Sequence, residues 1–436
     1  MLLGTQKKNE QKHLEIGGCD TINLAAEFGT PLYVMDEECL REKCRRLKTA
    51  FNERCKNSLI LYAAKSCLNM AICKIMEDEQ LGLDISSGGE AYTALKAGFP
   101  MEKTYLHGNN KSLWEIELAL DSGVGKIVLD NEQEAELVDK IAKSKNKVQD
   151  VMLRITPGIK PATHSYIQTG QIDTKFGLGI STGRAIEGIK KIISCSNLNL
   201  VGLHCHIGSN IIALESFAMT AKIMVRFMAE VKDTLNITFD ELDLGGGLGV
   251  RYTSDITPPT PEEFAEYVLN ALNDELIKYE MPSPKLLFEP GRYISGESGT
   301  TLYTIGTIKE VPGIKTYITV DGGLSDNPRP GLYDAVYEAL YANDMTAAMN
   351  KKVTVAGKHC ESDNLIFDIM LPDTIKSGDI LAVQTTGAYN YAMASNYNRF
   401  MRPAMILVKD GKADLIIKRE TLDDIISNDI VPDKLK

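Results

Sequence analysis

Eight short apolar runs recur between residues 58 and 292, and a stretch with helical periodicity follows nearly every run. In order, the runs are LILYAAK, LGLDISS, TYLHGN, KIVLDN, VMLRITP, LVGLHCHIGS, ELDLGGG and KLLFEPGR. Nearly continuous apolar runs are typical of strands covered on both faces, and strands that alternate with helices pair in parallel. Eight such units over about 250 residues predict a (β/α)8 barrel. An open doubly wound sheet is the alternative.

Polar residues occupy the last positions of nearly every run. The residues are Lys65, Asp84, His107, Asp130, Arg154, His204, His206, Glu289 and Arg292, together with Gly245 to Gly247 in the seventh run. In parallel barrels the active site lies at the carboxyl ends of the strands. The pattern therefore predicts a site at that end.

The pattern changes after residue 292 to short strand-like runs separated by turns. It predicts an antiparallel β domain over residues 293–436, with one helix near the end, TLDDIISND. Residues 1–35 contain a single short apolar stretch, TINLAAEFG, and we expect them to form an arm packed on the β domain. The predicted barrel then spans residues 36–292.

Composition narrows the class of protein. The 436 residues include 48 Lys and Arg against 59 Asp and Glu, so the net charge is −11, which argues against nucleic acid as a partner. No run reaches the roughly 18 apolar residues that a membrane span needs, and MLLGTQKKNEQKH has no apolar export core. Nine cysteines without a CxxC pair argue against a disulfide framework or a zinc ribbon. We expect a cytoplasmic protein with small-molecule ligands.

Lys65 and a glycine turn have the chemistry that a pyridoxal 5′-phosphate (PLP) site requires. A buried lysine amine has a lowered pKa and readily forms a Schiff base, although a lysine that only extends to solvent is the alternative. Gly245–Gly247 offers successive backbone N–H groups to a phosphate, and Ser209 supplies a nearby hydroxyl. A tight turn without a ligand is the alternative for the glycines.

Glu289 and His206 are candidates for the two contacts to the cofactor ring. A carboxylate against the pyridine nitrogen keeps the ring protonated and electron-withdrawing, whereas an ion pair with Arg292 is the alternative for Glu289. His206 lies two residues from His204, and it could stack on the ring, be a hydrogen-bonded structural residue, or join His204 in a metal pair. No third metal ligand appears at a suitable spacing, so we predict no metal.

The predicted β domain carries candidates for binding an amino-acid substrate. Arg329 and Tyr333 lie in the proline-stiffened segment SDNPRPGLY, where an arginine fork suits a carboxylate. Cys360 has a thiol that can donate a proton, and the neighbouring Glu361 has a carboxylate that can pair with an ammonium group. Tyr389 adds a hydroxyl.

Eleven motifs occur in series between about residues 30 and 410, and together they resemble the fold-type III PLP-dependent decarboxylases, most closely the diaminopimelate decarboxylase branch. They are YAAKSC, DISSGGE, HGNNK, TGQIDTKFG, GLHCHIGSN, DLGGGLG, EPGR, GGLSDNPRPGLY, HCESDN, GAYNYAMASNYN and the RP at 402–403. HGNNK and NPRPxLY separate this branch from the ornithine and arginine decarboxylases.

The resemblance implies a role for each matching residue. The residues implied to be catalytic are Lys65, Cys360, His206 and Glu289. Those implied to hold PLP are Lys65, His206, Ser209, Gly246, Gly247, Glu289, Gly291, Arg292 and Tyr389. Those implied to bind substrate are Arg292, Arg329, Tyr333, Glu361 and Tyr389. Cys360 would donate a proton after CO2 leaves, and with Glu361 it would enter the neighbouring subunit's pocket, so a homodimer with shared active sites is implied.

The implied reaction converts meso-2,6-diaminopimelate to L-lysine and CO2. Decarboxylation of ornithine, arginine or carboxynorspermidine, a racemase on a similar barrel, and a non-catalytic homologue that acts as a binding partner are the alternatives. The sequence departs from the family pattern at Ser66 and Cys67 after the lysine, and at Glu297 after EPGR. Glu297 leaves the polarity of the pocket open.

Overall fold

A computed structural model describes residues 1–159 and 173–436, and the described chain divides into two compact units. One unit comprises Arg41–Val250 and Thr257–Ile294, and the other comprises Met1–Leu40, Arg251–Ile256 and Ser295–Lys436. Residues 169–172 of the motif TGQIDTKFG lie outside the described residues.

The first unit is a closed barrel of eight parallel strands. They are β1 (Ser58–Ala63), β2 (Gly82–Ile85), β3 (Thr104–Leu106), β4 (Lys126–Leu129), β5 (Gln149–Thr156), β6 (Leu198–His204), β7 (Glu241–Asp243) and β8 (Lys285–Phe288). Each strand pairs with the next, and β8 pairs with β1 in parallel register from Leu286 opposite Ser58. The predicted (β/α)8 barrel is confirmed. A two-residue strand, Leu178–Gly179, extends the sheet beside β5.

Helices follow the strands, and the sequence supplies their ends. They span Glu37–Asn52, Met70–Asp78, Gly88–Ala97, Leu113–Ser122, Glu132–Ser144, Arg184–Ile193, Glu215–Leu235, Pro261–Lys278 and the short Arg292–Ser295. Ser87 and Asn131 accept backbone N–H groups at two of the N-termini, and Thr260 with Glu263 forms a capping box ahead of Pro261. Among the described helices, none is both long and apolar enough to cross a membrane.

Apolar side chains from different strands meet inside the barrel. The buried cluster is Leu61, Tyr105, Val128, Met152 and Leu287. The barrel interior is therefore a packed core rather than a channel, and polar chemistry is confined to the strand ends.

The second unit is built on a nine-stranded, mostly antiparallel sheet. Its strands are Leu32–Asp36, Gly299–Val311, Lys315–Val320, Ala339–Tyr341, Lys351–Ala356, Asn364–Leu371, Ile380–Val383, Ala404–Lys409 and Lys412–Ile417. Short helices span Thr21–Phe28, Arg329–Tyr333 and Leu422–Ile426. The predicted β domain is confirmed, although two of its pairings are parallel, Lys315–Val320 with Lys351–Ala356 and Ala404–Lys409 with Leu32–Asp36.

The N-terminal residues supply part of this second unit. Leu32–Asp36 lies inside the nine-stranded sheet between Gly299–Val311 and Ala404–Lys409, and all five of its residues are buried. A small antiparallel sheet of Lys7–Lys8, Leu14–Ile16 and Cys19–Asp20 precedes it. Apolar burial on both sides of a central strand explains why Leu32–Met35 is apolar without alternation.

A buried ion pair supports the barrel wall beneath the strand ends. The ammonium of Lys111 donates to the carbonyl oxygens of Gly108 (2.9 Å) and Val128 (2.7 Å) and to Oε1 of Glu134 (3.1 Å). Burial lowers the pKa of Lys111, and Glu134 opposes that effect. The lysine of HGNNK is therefore placed by structural contacts to its own loop and the neighbouring strand.

We expect Lys111→Met to lower the free energy of unfolding by about 3 to 5 kcal/mol, because it leaves the Glu134 carboxylate buried without its cation. The double variant Lys111→Met/Glu134→Gln removes that charge while keeping a polar group where Glu134 accepts the N–H of Asp130. Urea unfolding should show the double variant to be the more stable of the two. Equal loss in both variants would show that the uncompensated charge is not the cause.

Candidate active site

Four ionisable side chains form a chain of contacts at the carboxyl ends of neighbouring strands. Lys65 follows β1, and its Nζ lies 2.9 Å from Oδ2 of Asp84 on β2. His107, just after β3, places Nε2 3.6 Å from Oδ1 of Asp84 and 2.8 Å from Oε1 of Glu289 after β8. The strand order β8-β1-β2-β3 brings these four positions together, as the strand-end pattern predicts.

Glu289 is held ionised by two histidines. His204 at the end of β6 places Nε2 3.3 Å from the second carboxylate oxygen, and its ring packs edge-on against His107 at 4.8 Å. Burial would raise the pKa of Glu289, but His107 and His204 outweigh it and hold that pKa well below its usual value. Burial lowers the pKa of His204 to about 4, so this imidazole is neutral near pH 7.

Asp243 completes the surroundings of Glu289, and the sequence analysis gives it no role. It ends β7, it is fully buried, and its Oδ1 accepts the N–H of Gly245 at 2.8 Å. Burial, reinforced by the negative charge of Glu289, raises the pKa of Asp243 well above its usual value. Burial therefore favours the neutral form of Asp243, and in that form its carboxyl group can donate to the Glu289 carboxylate. Its position at a strand end is the signal by which it could have been found.

His206 lies against the glycine turn that follows β7. Its Nδ1 accepts the backbone N–H of Gly246 at 3.3 Å, so that nitrogen carries no proton. Desolvation, with the nearby cations of Lys65 and Arg154, lowers the pKa of His206 well below its usual value. A neutral, flat imidazole beside Lys65 suits stacking on an aromatic ring.

The turn itself tolerates only glycine. A Cβ on Gly246 would lie 2.0 Å from the carbonyl oxygen of Glu289. At Gly247 the backbone has φ +119, and a Cβ would lie 2.4 Å from the carbonyl oxygen of Gly208. The loops after β6, β7 and β8 therefore meet at backbone distance, and no Cβ of the turn stands between its backbone and a ligand.

Ser209 and Arg292 meet at the same corner. The guanidinium of Arg292 donates to Oγ of Ser209 from Nε (3.2 Å) and from Nη2 (3.1 Å). Gly291 precedes the arginine, and a Cβ there would lie 2.9 Å from Cβ of Ala63. The predicted phosphate residues Ser209, Gly247 and Gly291 thus lie on three adjacent loops, with a cation beside them.

The barrel site has the features that PLP requires. The amine of Lys65 suits an aldehyde, and the ionised carboxylate of Glu289 suits a pyridine nitrogen. The imidazole of His206 suits a ring face, and the glycine turn suits a phosphate. Ligand atoms of His107, His204 and Glu289 also lie within 4.8 Å of one another, but this group does not include His206, and the absence of a metal stays a prediction. Sequence spacing missed this group because its members come from three separate strands.

The second unit contains a buried arginine surrounded by tyrosine rings. Nη1 of Arg329 donates to the hydroxyls of Tyr252 (2.7 Å) and Tyr337 (3.1 Å), two residues that the sequence analysis does not identify. The guanidinium also lies 5.7 Å from the ring centre of Tyr333 and 6.0 Å from that of Tyr389. Arg329 is only 5% exposed, and in the described parts of the chain no carboxylate pairs with it. A buried arginine without an acid suits a carboxylate ligand.

Cys360 and Glu361 are exposed on the surface of the second unit. Cys360 is the only exposed cysteine of the nine, all of which are described and free. Its backbone N–H donates to Oδ1 of Asn398 at 3.1 Å, and the charge of Glu361 raises the pKa of Tyr397. Their side chains are therefore open to solvent in the single chain.

The three departures from the family pattern have structural partners. Ser66 is buried, and its Oγ lies 2.9 Å from the hydroxyl of Tyr62 and 2.8 Å from the carbonyl oxygen of Ala63. Cys67 is also buried, and burial raises its pKa to about 12, so it is an inert thiol. Glu297 accepts the backbone N–H of Arg251 at 3.1 Å within the second unit.

Comparison with known proteins identifies the family. Residues 37–296 match the family model of the pyridoxal-dependent decarboxylases for their pyridoxal-binding domain. The chain is 45% identical over 430 residues to diaminopimelate decarboxylase of Bacillus subtilis, with 98% of both chains covered, and 46% identical over 418 residues to that of Bacillus methanolicus, with 96% of both covered. The chain belongs to the diaminopimelate decarboxylase family. The crystal structure of the M. jannaschii diaminopimelate decarboxylase in complex with L-lysine matches all of both chains, with a TM-score of 0.94 and 34% identity.

Membership of the diaminopimelate decarboxylase family confirms two predictions. The resemblance inferred from the eleven motifs is correct, and the cofactor is PLP, since the matched domain is the pyridoxal-binding domain. The barrel site described above lies within the matched residues, and Glu289 and Gly291 fall near their end. The role of each individual residue stays a prediction.

We expect His204 to remain neutral from pH 8 down to about pH 5, because its pKa is lowered from 6.5 to about 4. Since the folded state prefers the neutral imidazole, stability present above pH 6.5 is lost as the pH falls toward 4. NMR titration of ¹³C-labelled histidine, assigned with His204→Asn, measures this directly. A midpoint near 6.5 for the His204 signal would contradict the buried, neutral assignment.

Proposed function

We propose that the protein is a PLP-dependent carboxy-lyase that converts meso-2,6-diaminopimelate to L-lysine and CO2. Diaminopimelate decarboxylases match the chain along nearly its whole length. The structural observation that carries the proposal is Arg329, a buried guanidinium without a carboxylate partner in the described residues. Diaminopimelate has a second, non-reacting carboxylate that such a group can bind, whereas ornithine has none.

The barrel residues hold and polarise the cofactor in this proposal. When bound, PLP supplies a protonated pyridine ring that accepts the electron pair left behind by CO2. Lys65 would hold the cofactor through its amine, which Asp84 contacts at 2.9 Å. Glu289 would face the ring nitrogen and hold a proton there, and His206 would lie against one face of the ring. Ser209, Gly247, Gly291 and Tyr389 are the proposed phosphate ligands, and Gly246 and Arg292 are further residues proposed to border the cofactor.

The substrate residues orient the reacting carboxylate by holding the other end of the molecule. Arg292, Arg329 and Tyr333 bind the distal carboxylate, Glu361 binds the distal ammonium, and Tyr389 borders both ligands. Remote contacts of this kind fix the scissile bond relative to the ring, and orientation can contribute about 7 kcal/mol or more in favourable cases. Cys360 then donates the proton of its thiol to the carbon that has lost CO2.

We further propose that the working unit is a homodimer in which Cys360 and Glu361 complete the partner's site. The exposure of both side chains in the single chain supports this arrangement, because a proton donor must be shielded from water when it acts. A cytosolic location is also proposed. The nine free cysteines support it, since disulfides are rare in that compartment.

Incubation of the PLP-loaded protein with meso-diaminopimelate is the direct test, and we expect L-lysine and CO2 in equal amounts. Arg329→Ala should raise KM and lower kcat for this substrate, because both binding and orientation depend on the distal carboxylate. Arg184 is exposed and pairs with Glu132, so Arg184→Ala is a control variant that should leave both constants unchanged. Unchanged constants in Arg329→Ala would show that Arg329 is not the clamp.

The same assay separates the rival functions. Release of CO2 from ornithine, arginine or carboxynorspermidine at a higher kcat/KM than from diaminopimelate would favour a related decarboxylase. Racemisation without CO2 would indicate a racemase, and failure of borohydride to fix PLP on Lys65 would support a binding protein without catalysis.

Mixing two inactive variants tests the shared sites. Lys65→Ala and Cys360→Ser each disable a different half of the proposed site, so heterodimers contain one intact pocket. We expect exchange of subunits between the two folded variants to restore part of the decarboxylase activity. If heterodimers form in the mixed sample and it stays inactive, Cys360 belongs to the pocket of its own chain.

A further inference from the structure

His359 and Asp363 form a buried pair within the loop that presents Cys360 and Glu361 to solvent. The side chain of His359 is 0% exposed and that of Asp363 is 3% exposed, in contrast to the two residues next to His359. Residues 357–363 are named here the Cys360 loop. The family motif HCESDN includes both members of the pair, but no step of the proposed reaction uses either of them.

Both ring nitrogens of His359 have a partner, which fixes its protonation. Nε2 accepts the backbone N–H of Ser325 at 3.3 Å, and a backbone N–H can only donate. The remaining proton is therefore on Nδ1, which donates to Oδ2 of Asp363. A neutral imidazole thus joins the Cys360 loop to residues 322–329, named here the Arg329 loop.

Asp363 makes a second connection between the same two loops. Its Oδ2 also accepts the backbone N–H of Leu324 at 3.0 Å. A Cβ on Gly323 would lie 2.1 Å from this oxygen, and a Cβ on Gly357 would lie 2.0 Å from it. One glycine comes from each loop, so the two backbones approach closely around this carboxylate.

A third segment closes around the histidine ring. The ring of Tyr397 stacks on His359 with an interplanar angle of 13°, and the ring of Phe400 packs edge-on at 5.0 Å. Asn398 lies between these two residues and accepts the backbone N–H of Cys360. The histidine is therefore fixed by packing as well as by hydrogen bonds, which is what holds a neighbouring reactive group in place.

We infer that His359 is a positioning residue that, through Asp363, sets the place of the Cys360 thiol relative to the Arg329 loop. The inference rests on the proposed function. There Arg329 serves the pocket of its own chain while Cys360 serves the pocket of the partner. The pair then connects the substrate clamp of one pocket to the proton donor of the other within a single chain.

His359→Leu removes both hydrogen bonds while keeping an apolar side chain. In the PLP-loaded protein we expect kcat/KM for meso-diaminopimelate to fall about tenfold, since displacement by about 1 Å can cost up to about 100-fold. We also expect iodoacetamide to alkylate Cys360 several times faster, as followed by mass spectrometry with Cys360→Ser as the blank. The visible absorption of bound PLP should not change, because the barrel contacts to the cofactor are untouched.

Variants that alter single contacts distinguish positioning from general loss of structure. His359→Asn can still donate to Asp363 from its amide, so it should lose less activity than His359→Leu. Asp363→Asn should lose activity as well, and combining it with His359→Leu should add little, because both act through one contact. His13 pairs with Asp20 at 2.9 Å in the same unit, so His13→Leu is a matched control with unchanged activity and labelling.

The inference is overturned if the labelling rate and the activity of both His359→Leu and Asp363→Asn stay within twofold of the parent protein. It is also overturned if His13→Leu changes them as much as His359→Leu does. Additive losses in the double variant would also overturn it. If His359→Leu does not fold, His359→Asn and Asp363→Asn carry the test. The labelling rates need no turnover, so they still decide the inference if the protein fails to release CO2 from meso-diaminopimelate.

Discussion

The carboxylate of Glu289 is buried in a closed barrel, and its charge has to be compensated there. An ionised carboxylate without partners is costly in such surroundings. His107 and His204 face it from two other strands, and Asp243, whose neutral form burial favours, faces it from a third. None of these residues can be moved alone, because each is fixed at the end of a strand whose register is set by its neighbours. Barrel closure and the charge state of the site therefore depend on each other.

The same constraint explains why Lys65 is close to its opposite charge. Asp84 contacts the amine through one oxygen and faces His107 with the other, so it belongs both to the lysine and to the Glu289 cluster. The Lys65 side chain is 41% exposed and not buried as expected, so it is the fully buried Asp84 that needs this contact. The cluster thus forms a continuous path of contacts between the residue proposed to bind the aldehyde and the residue proposed to face the ring nitrogen.

Sequence patterning predicts the barrel because eight buried strands need eight apolar runs, and it predicts Lys65, His206 and Glu289 because strand ends are where polar residues interrupt those runs. It does not predict a role for Asp243, because the glycines are the signal taken from the segment ELDLGGG. Tyr252 and Tyr337 are also missed, since contacts to Arg329 arise from folding of distant segments. The parallel pairing of Leu32–Asp36 is missed for a related reason, because a single short run carries no information on its partner.

Arg329 is buried and Cys360 is exposed, and this difference matches their proposed roles in binding and in proton transfer. Arg329 is buried and surrounded by phenol rings, so its position is fixed before any carboxylate arrives. Cys360 is exposed, and its position depends on the buried pair beneath it and on the hydrogen bond of its backbone N–H to Asn398. A clamp has to be preorganised, because its contribution depends on orientation at the moment of bond cleavage. A proton donor acts one step later, and it has to reach the reacting carbon only after CO2 has left. The proposed reaction therefore assigns the rigid residue to binding and the loop residue to proton transfer.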